Sequence, residues 1–298
     1  MENPNIGGLV DDAARTLAAA GVDTPRFDAK LLLAHAAGVE PRDVDRAVLM
    51  GEPLAFDAAR FHAMVVRRAG REPLQYIVGH APFRYLDVEV GPGVFIPRPE
   101  TETVVQVGLD WLAAHHRGGR PRVVDLCAGS GVIGLSVVTE VPDAEVWAVE
   151  LSEAAHTWTE RNRRLVTAGH PDVADRYHLL LGDATSPGIL AELDGTVDLV
   201  ISNPPYVPET DVPEQPEVRD HDPESALYGG SPDGLCIPER IIGRAAGLLR
   251  PGGALVMEHD ISQGAALRSY AAAHGFGDVA TGDDLTGRPR YLFGVYLA

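Results

Sequence analysis

Val123–Val124–Asp125–Leu126–Cys127–Ala128–Gly129–Ser130–Gly131–Val132–Ile133–Gly134 is the stretch that decides the fold. An apolar run of strand length ends in a glycine turn, and a helix begins directly after it. Gly129, Gly131 and Gly134 satisfy G-x-G-x-x-G, and the acidic Glu150 stands nineteen residues beyond Gly131. That spacing resembles a dinucleotide fingerprint, in which glycines let the backbone approach a ligand and the acid takes ribose hydroxyls. Two ligand classes fit such a turn, and electrostatics separates them. A pyrophosphate sits at the helix N-terminus, where backbone N–H groups receive its negative charge. Asp125 at the strand end would repel it, whereas a carboxylate there suits the ammonium and sulfonium groups of S-adenosylmethionine. Glu150 serves either ligand. Asp183, in Leu181–Gly182–Asp183–Ala184, has two readings: an acceptor for an adenine amino group, or an ordinary helix N-cap.

Downstream of this stretch, strand and helix alternate. Strands are predicted at Arg122–Leu126, Glu145–Glu150, Tyr177–Leu181, Val197–Ser202, Ala254–Glu258 and Tyr291–Leu297. Helix-length stretches or longer connections separate the first five, which predicts a doubly wound, mostly parallel sheet covered on both faces. Val207–Asp233, rich in Pro, Glu and Asp, is predicted as a long loop, a kind of segment that is often functional.

Upstream, the first 73 residues read as a small helical domain, with Leu9, Ala13 and Leu17 at four-residue spacing and Phe61, Met64 and Val65 on one face. Residues 74–92 read as a β-hairpin linker, its first arm Gln75–Val78 and its turn at Gly79–His80. Residues 93–298 form the second domain. It opens with Val94–Phe95–Ile96–Pro97–Arg98–Pro99–Glu100–Thr101, predicted to be extended because proline stiffens the backbone and cannot donate to a ladder.

Asn203–Pro204–Pro205–Tyr206 follows the fourth of these strands, at the carboxyl edge where ligands of parallel sheets bind. An amide nitrogen is a poor nucleophile, because its lone pair is delocalised into the carbonyl. A site that methylates one must hold both N–H groups and aim the lone pair at the methyl carbon. The Asn203 side-chain oxygen can accept one N–H and the Pro204 carbonyl the other, and the prolines restrict both. Tyr206 offers a flat face for a planar group.

Composition narrows the classes further. Acidic residues outnumber basic ones 43 to 25, a formal charge of −18, which repels phosphate backbones. Cys127 and Cys236 are the two cysteines, far apart and without metal-ligand spacing, as in a reducing compartment. The opening residues lack a signal-peptide pattern, and no apolar run approaches the ~20 residues of a membrane span. A soluble cytoplasmic protein is expected.

Taken together, these motifs resemble one family, the release-factor glutamine N5-methyltransferases of the HemK/PrmC type. The resemblance runs through Arg71–Glu72–Pro73–Leu74–Gln75–Tyr76, Ile96–Pro97–Arg98–Pro99–Glu100–Thr101–Glu102, the glycine loop and Asn203–Pro204–Pro205–Tyr206. It continues in Pro223–Glu224–Ser225–Ala226–Leu227, Asp233–Gly234–Leu235 and Asp284–Leu285–Thr286–Gly287–Arg288. It implies a seven-stranded, Rossmann-like methyltransferase sheet using S-adenosylmethionine and no metal. The implied substrate is the glutamine of the Gly-Gly-Gln loop of peptide chain release factors, met by a monomer without direct contact to nucleic acid or membrane. The resemblance assigns the glutamine amide to Asn203 and Pro204, with Pro205 and Tyr206 shaping the pocket. It gives the cofactor to Phe95, Arg98, Thr101, Asp125, Cys127, Ala128, Gly129, Ser130, Gly131, Glu150, Asp183, Ala184 and Asn203. The helical domain would help grip the release factor. Two positions depart from the family pattern: Ala184, where an aromatic is frequent, and Asp260 in Glu258–His259–Asp260, where glycine is usual.

The same glycine loop and Asn-Pro-Pro-Tyr serve adenine-N6 methyltransferases of DNA or RNA, which need a basic surface that this acidic chain does not show. A dinucleotide enzyme or a non-catalytic binding module is opposed by Asp125 and by Asn203–Tyr206.

Overall fold

The computed structural model describes residues 5–116 and 118–298. The first four residues of the expected helical domain lie outside the described ones. By internal contacts the chain divides into two units: Met1–His80 with Pro213–His221, and Ala81–Val212 with Asp222–Ala298.

In the first unit, helices α1 (Ile6–Ala19), α2 (Pro25–Ala37), α3 (Pro41–Met50), α4 (Ala58–Ala69) and α5 (Leu74–Val78) surround Leu17, Leu32, Leu33, Val44, Phe61 and Met64. Proline opens α2 and α3, where its missing N–H costs nothing, and left-handed Gly38 and Gly51 close them. The short helix Pro216–His221 (α9) belongs to this unit. Its Glu217 accepts from Arg71 Nε and Nη2 at 2.8 and 2.7 Å and from Arg68 Nη1 at 2.7 Å, while Arg68 Nε bonds Asp28 at 2.7 Å. Burial pushes the Glu217 carboxyl up, but hydrogen bonds from the two guanidinium groups outweigh it and bring the group to about 2.

Gln75–Val78, expected as a strand, is helical. Pro73 at the cap has φ −54°, Leu74, Tyr76 and Ile77 are buried, and Gly79 (φ 87°) stops the helix by donating to the Gln75 carbonyl at 2.7 Å. An apolar run this short does not reveal its period, and burial decided for a helix turn. The hairpin forms just after it, as β1 (His80–Phe83) and β2 (Leu86–Glu89) in a two-stranded sheet.

The second unit carries the main sheet. The strands are β3 (Arg122–Leu126), β4 (Glu145–Glu150), β5 (Tyr177–Leu181), β6 (Val197–Ser202), β7 (Leu249–Glu258), β8 (Phe276–Asp283) and β9 (Pro289–Tyr296). They lie in the order β5-β4-β3-β6-β7-β9-β8, parallel from β5 to β7, with β9 antiparallel to both β7 and β8. Helices α6 (Pro99–His115), α7 (Val132–Glu140), α8 (Glu153–Gly169), α11 (Cys236–Leu248) and α12 (Gly264–Ala273) connect and cover it, and every residue of β6 is buried. The sheet is thus the seven-stranded, mostly parallel one expected. Three details differ from the sequence reading. Pro99–Thr101 forms the first turn of α6 rather than extended chain, because proline at the first helical position is already set for a helix. The long loop after Tyr206 contains α9 and the short α10 (Glu224–Leu227). Strand β8 was not foreseen: an edge strand holding two glycines and two aspartates carries little strand signal.

From β3 the chain moves outward to β4 and β5, then returns to β6 on the other side. The order therefore reverses between β3 and β6, paired through Leu126↔Ser202. A crevice opens at such a switch point, beyond the carboxyl ends of the strands. The glycine loop and Asn203 leave from those two ends.

Candidate active site

The glycine loop is held in a contorted path. Cys127, Gly129 and Gly131 have φ of 69°, 59° and 86°. For cysteine the left-handed region costs about 1 kcal/mol or more, and the N–H groups of Cys127 and Ala128 hold it there by donating to the Val149 carbonyl at 3.1 and 2.9 Å. Gly131 has steric reasons as well: a Cβ there would lie 2.7 Å from Thr159 Cγ2. Glu150, at the end of β4, accepts the Gly129 N–H at 2.8 Å and the Ser152 N–H at 2.7 Å. Burial raises its pKa, and these backbone donors hold it down in part.

Asp125 does not take the position expected of it. Its side chain is fully buried beneath the loop and is not part of the cavity wall described below; Oδ2 accepts the Gly134 N–H at 2.9 Å. Desolvation raises its pKa to about 7, against the pull of that hydrogen bond and with help from nearby Glu150. The carboxyl anchors the start of α7, and a group titrating near neutrality is a weak electrostatic filter between ligands.

At the end of β6, Asn203 Nδ2 donates to Thr101 Oγ1 at 3.2 Å. The Thr101 hydroxyl donates to Glu258 Oε2 at 2.7 Å, and the Tyr206 hydroxyl donates to Glu258 Oε1 at 2.9 Å. The backbone here is tightly collared. The N–H groups of Tyr206 and Val207 both donate to the Leu227 carbonyl, at 3.0 and 2.8 Å, and Gln263 Nε2 donates to the carbonyls of Tyr206 and Asp233 at 2.8 and 2.9 Å. Gly234 (φ 69°) passes so close that a Cβ would sit 2.2 Å from the Tyr206 carbonyl oxygen. The Pro223–Leu227 and Asp233–Leu235 segments are thereby a backbone cradle for Tyr206.

A cavity of about 300 Å³ joins the two loops. Its wall contains Phe95, Arg98, Thr101, Cys127, Ala128, Gly129, Ser130, Glu150, Asp183, Ala184, Asn203, Pro205 and Tyr206. Pro204, Gly131 and Asp125 are not among the residues of the wall, although Pro204 joins the wall residues Asn203 and Pro205. Asp183 is not a helix cap: its Oδ1 closes a turn by accepting from Thr185 N and Oγ1 at 2.8 and 2.7 Å.

Two families match the sequence in turn, the PrmC N-terminal domain over residues 9–79 and the methyltransferase small domain over residues 88–215. The release factor glutamine methyltransferase of Bifidobacterium longum is 64% identical over 97% of this chain and 99% of its own. The chain belongs to the release factor glutamine methyltransferase family. One relative in this group carries another name: the 4-amino-L-phenylalanine/4-methylamino-L-phenylalanine methyltransferase of Streptomyces pristinaespiralis, 40% identical over 91% of this chain and 89% of its own. Among solved structures, the hMettl16 catalytic domain in complex with MAT2A 3′UTR hairpin 6 has a TM-score of 0.52 at 14% identity, covering 70% of this chain and 74% of its own. That likeness concerns the fold.

Several wall residues are not among those expected from the sequence, among them Ser152, Ile237 and Arg240. They sit in helix starts and loops without a distinctive pattern. Glu258 escaped as well, although a signal existed: it ends β7 at the same sheet edge as Glu150 and Asn203. Arg98, placed in the wall, is fixed by Asp222 at 2.5 Å and lies over the Phe95 ring at 4.8 Å. An ion pair and a cation–π contact thus hold one side of the cavity.

Proposed function

We propose that this protein methylates the side-chain amide nitrogen of the glutamine in the Gly-Gly-Gln motif of peptide chain release factors. One observation carries the reading: Asn203 and Tyr206 share a single cavity wall with the glycine loop and Glu150, so an amide held by the first pair lies beside a ligand held by the second. The contorted loop and the Glu150 carboxylate fit S-adenosylmethionine, with Glu150 accepting from ribose hydroxyls and Asp183 and Ala184 bordering the adenine. Bound there, S-adenosylmethionine supplies the methyl group and the sulfonium leaving group, yielding S-adenosylhomocysteine and N5-methylglutamine.

The protein's own residues handle the amide. The Asn203 side-chain oxygen takes one N–H and the Pro204 carbonyl the other, which fixes the plane of the group. Tyr206 stacks against it, and the prolines keep the acceptors from drifting. Once methylated, the nitrogen loses a proton to water, so the reaction runs without a strong base. Phe95, Arg98 and Thr101 border the cofactor from the other side, and the helical domain of residues 1–73 helps grip the release factor. The surplus of acidic residues favours a protein partner over nucleic acid. A metal-free, monomeric, cytoplasmic enzyme completes the proposal.

The test offers the purified protein labelled S-adenosylmethionine with a release factor, unmethylated DNA or 4-amino-L-phenylalanine. Label mapped by mass spectrometry to the Gly-Gly-Gln glutamine supports the assignment. Label on DNA or on the free amino acid, with none on the release factor, refutes it.

A further inference from the structure

Glu258 is 2% exposed and is absent from the cavity wall, yet both of its oxygens are spent on residues of that wall. One accepts the Thr101 hydroxyl at 2.7 Å and the other the Tyr206 hydroxyl at 2.9 Å. Thr101 Oγ1 in turn faces Asn203 Nδ2 at 3.2 Å. The chain of donors has a direction that follows from counting protons. An ionised carboxylate only accepts, and a hydroxyl has one proton to give. The Thr101 proton is committed to Glu258, so Thr101 can meet Asn203 only as an acceptor. Asn203 must then turn its NH2 toward Thr101 and its oxygen away. Nothing in the shape of an asparagine amide selects that orientation, since its two ends are nearly equal in size.

We infer that Glu258 is a positioning residue that acts through Thr101 to point the Asn203 oxygen at the incoming substrate, so that the site accepts N–H donors and rejects carboxylates. This rests on the reading that Asn203 receives the substrate amide. The same carboxylate fixes the Tyr206 hydroxyl, so the acceptor and the stacking face share one anchor. Burial raises its pKa, and the Thr101 and Tyr206 hydroxyls, with Arg290 behind them, pull back toward the charged form against a smaller push from Glu100. A protonated Glu258 would donate to one partner, and the order toward Asn203 could then reverse. Glutamine and glutamate side chains are nearly isosteric, and one amide orientation separates them.

The test compares two release-factor variants, the native Gly-Gly-Gln protein and its Gln→Glu form. Binding is measured by calorimetry with S-adenosylhomocysteine present, alongside kcat/KM for the native substrate. Wild-type enzyme should bind the Gln form at least about tenfold more tightly. In Glu258→Leu the Thr101 proton loses its acceptor, and the Asn203 oxygen is the acceptor within reach. The variant should keep its affinity for S-adenosylhomocysteine, lose about a hundredfold in kcat/KM, and bind the Gln and Glu forms alike. Lost activity with the Gln preference intact would mean that Glu258 merely supports the fold, and would overturn the inference. So would full activity. Should Glu258→Leu fail to fold, the pair Thr101→Val and Thr101→Ser decides: Val should lose the Gln preference and Ser retain it, and equal preference in both overturns the inference. A wild-type enzyme that leaves the release factor unlabelled would sink the functional reading instead.

Discussion

Replacing Asp125 by asparagine should stabilise the protein, and increasingly so as pH rises. The carboxyl is fully buried, with one oxygen accepting from Gly134 at 2.9 Å and the other, Oδ1, without a hydrogen-bond partner among the described residues. Burial raises its pKa from 3.8 to about 7. The folded state therefore binds a proton more tightly than the unfolded chain. The sign follows: the group's contribution to stability is fully present below about 3.8 and is lost as pH climbs through about 7. A raised pKa of this size corresponds to about 4 kcal/mol, of which about 2.5 kcal/mol is lost between pH 5 and pH 8. Asparagine keeps the acceptor for Gly134 and never ionises. Urea unfolding of both proteins across that range supplies the assay, because titrating groups that do not interact with Asp125 cancel in the difference, and the coupled Glu150 is a minor influence beside burial. The Asn-minus-Asp stability gap should widen by about 2.5 kcal/mol from pH 5 to pH 8. Parallel profiles would show that the carboxyl is not desolvated as the fold places it. A gap that narrows with pH would mean that an undetected cation pairs with it.

Three further outcomes test the site and its supports. Asn203→Ala should lower methyl transfer to the release factor about a thousandfold while calorimetry finds the cofactor still bound; near-normal turnover would refute the amide clamp. Gly131→Ala adds a Cβ 2.7 Å from Thr159 Cγ2 at a φ of 86°, so strain and crowding should cost about 3 kcal/mol in urea unfolding and weaken S-adenosylmethionine binding. Glu217→Ala leaves Arg68 and Arg71 without the carboxylate that joins them, and should cost the helical unit about 3 kcal/mol. Amide exchange across residues 213–221 should accelerate with it; unchanged exchange there would show that the ion pairs do not hold α9.

The sequence was legible wherever one residue pattern has one structural outcome. Five long apolar runs separated by helical stretches can hardly be anything but a parallel sheet, and β3 to β6 start and end where their residues predict. The glycine turn and Asn203–Tyr206 follow from the rule that ligands meet parallel sheets at the carboxyl edge. Short or weakly patterned pieces were not legible. Gln75–Val78 has too few residues to display a period, and β8 is an edge strand whose residues favour turns.

Side-chain destinations separate the two levels most clearly. That an acid stands at the carboxyl end of β3, β4 and β7 is written in the chain. Whether each faces a ligand or the interior depends on the direction in which its side chain leaves the strand and on what packs over it. Asp125 turns under the loop to meet Gly134, Glu150 stays at the wall, and Glu258 goes behind Thr101 and Tyr206. Those partners are 9 to 157 residues away in sequence. A hydrogen bond has a range of about 3 Å, so its partner is fixed only when the sheet order brings distant strand ends to one edge.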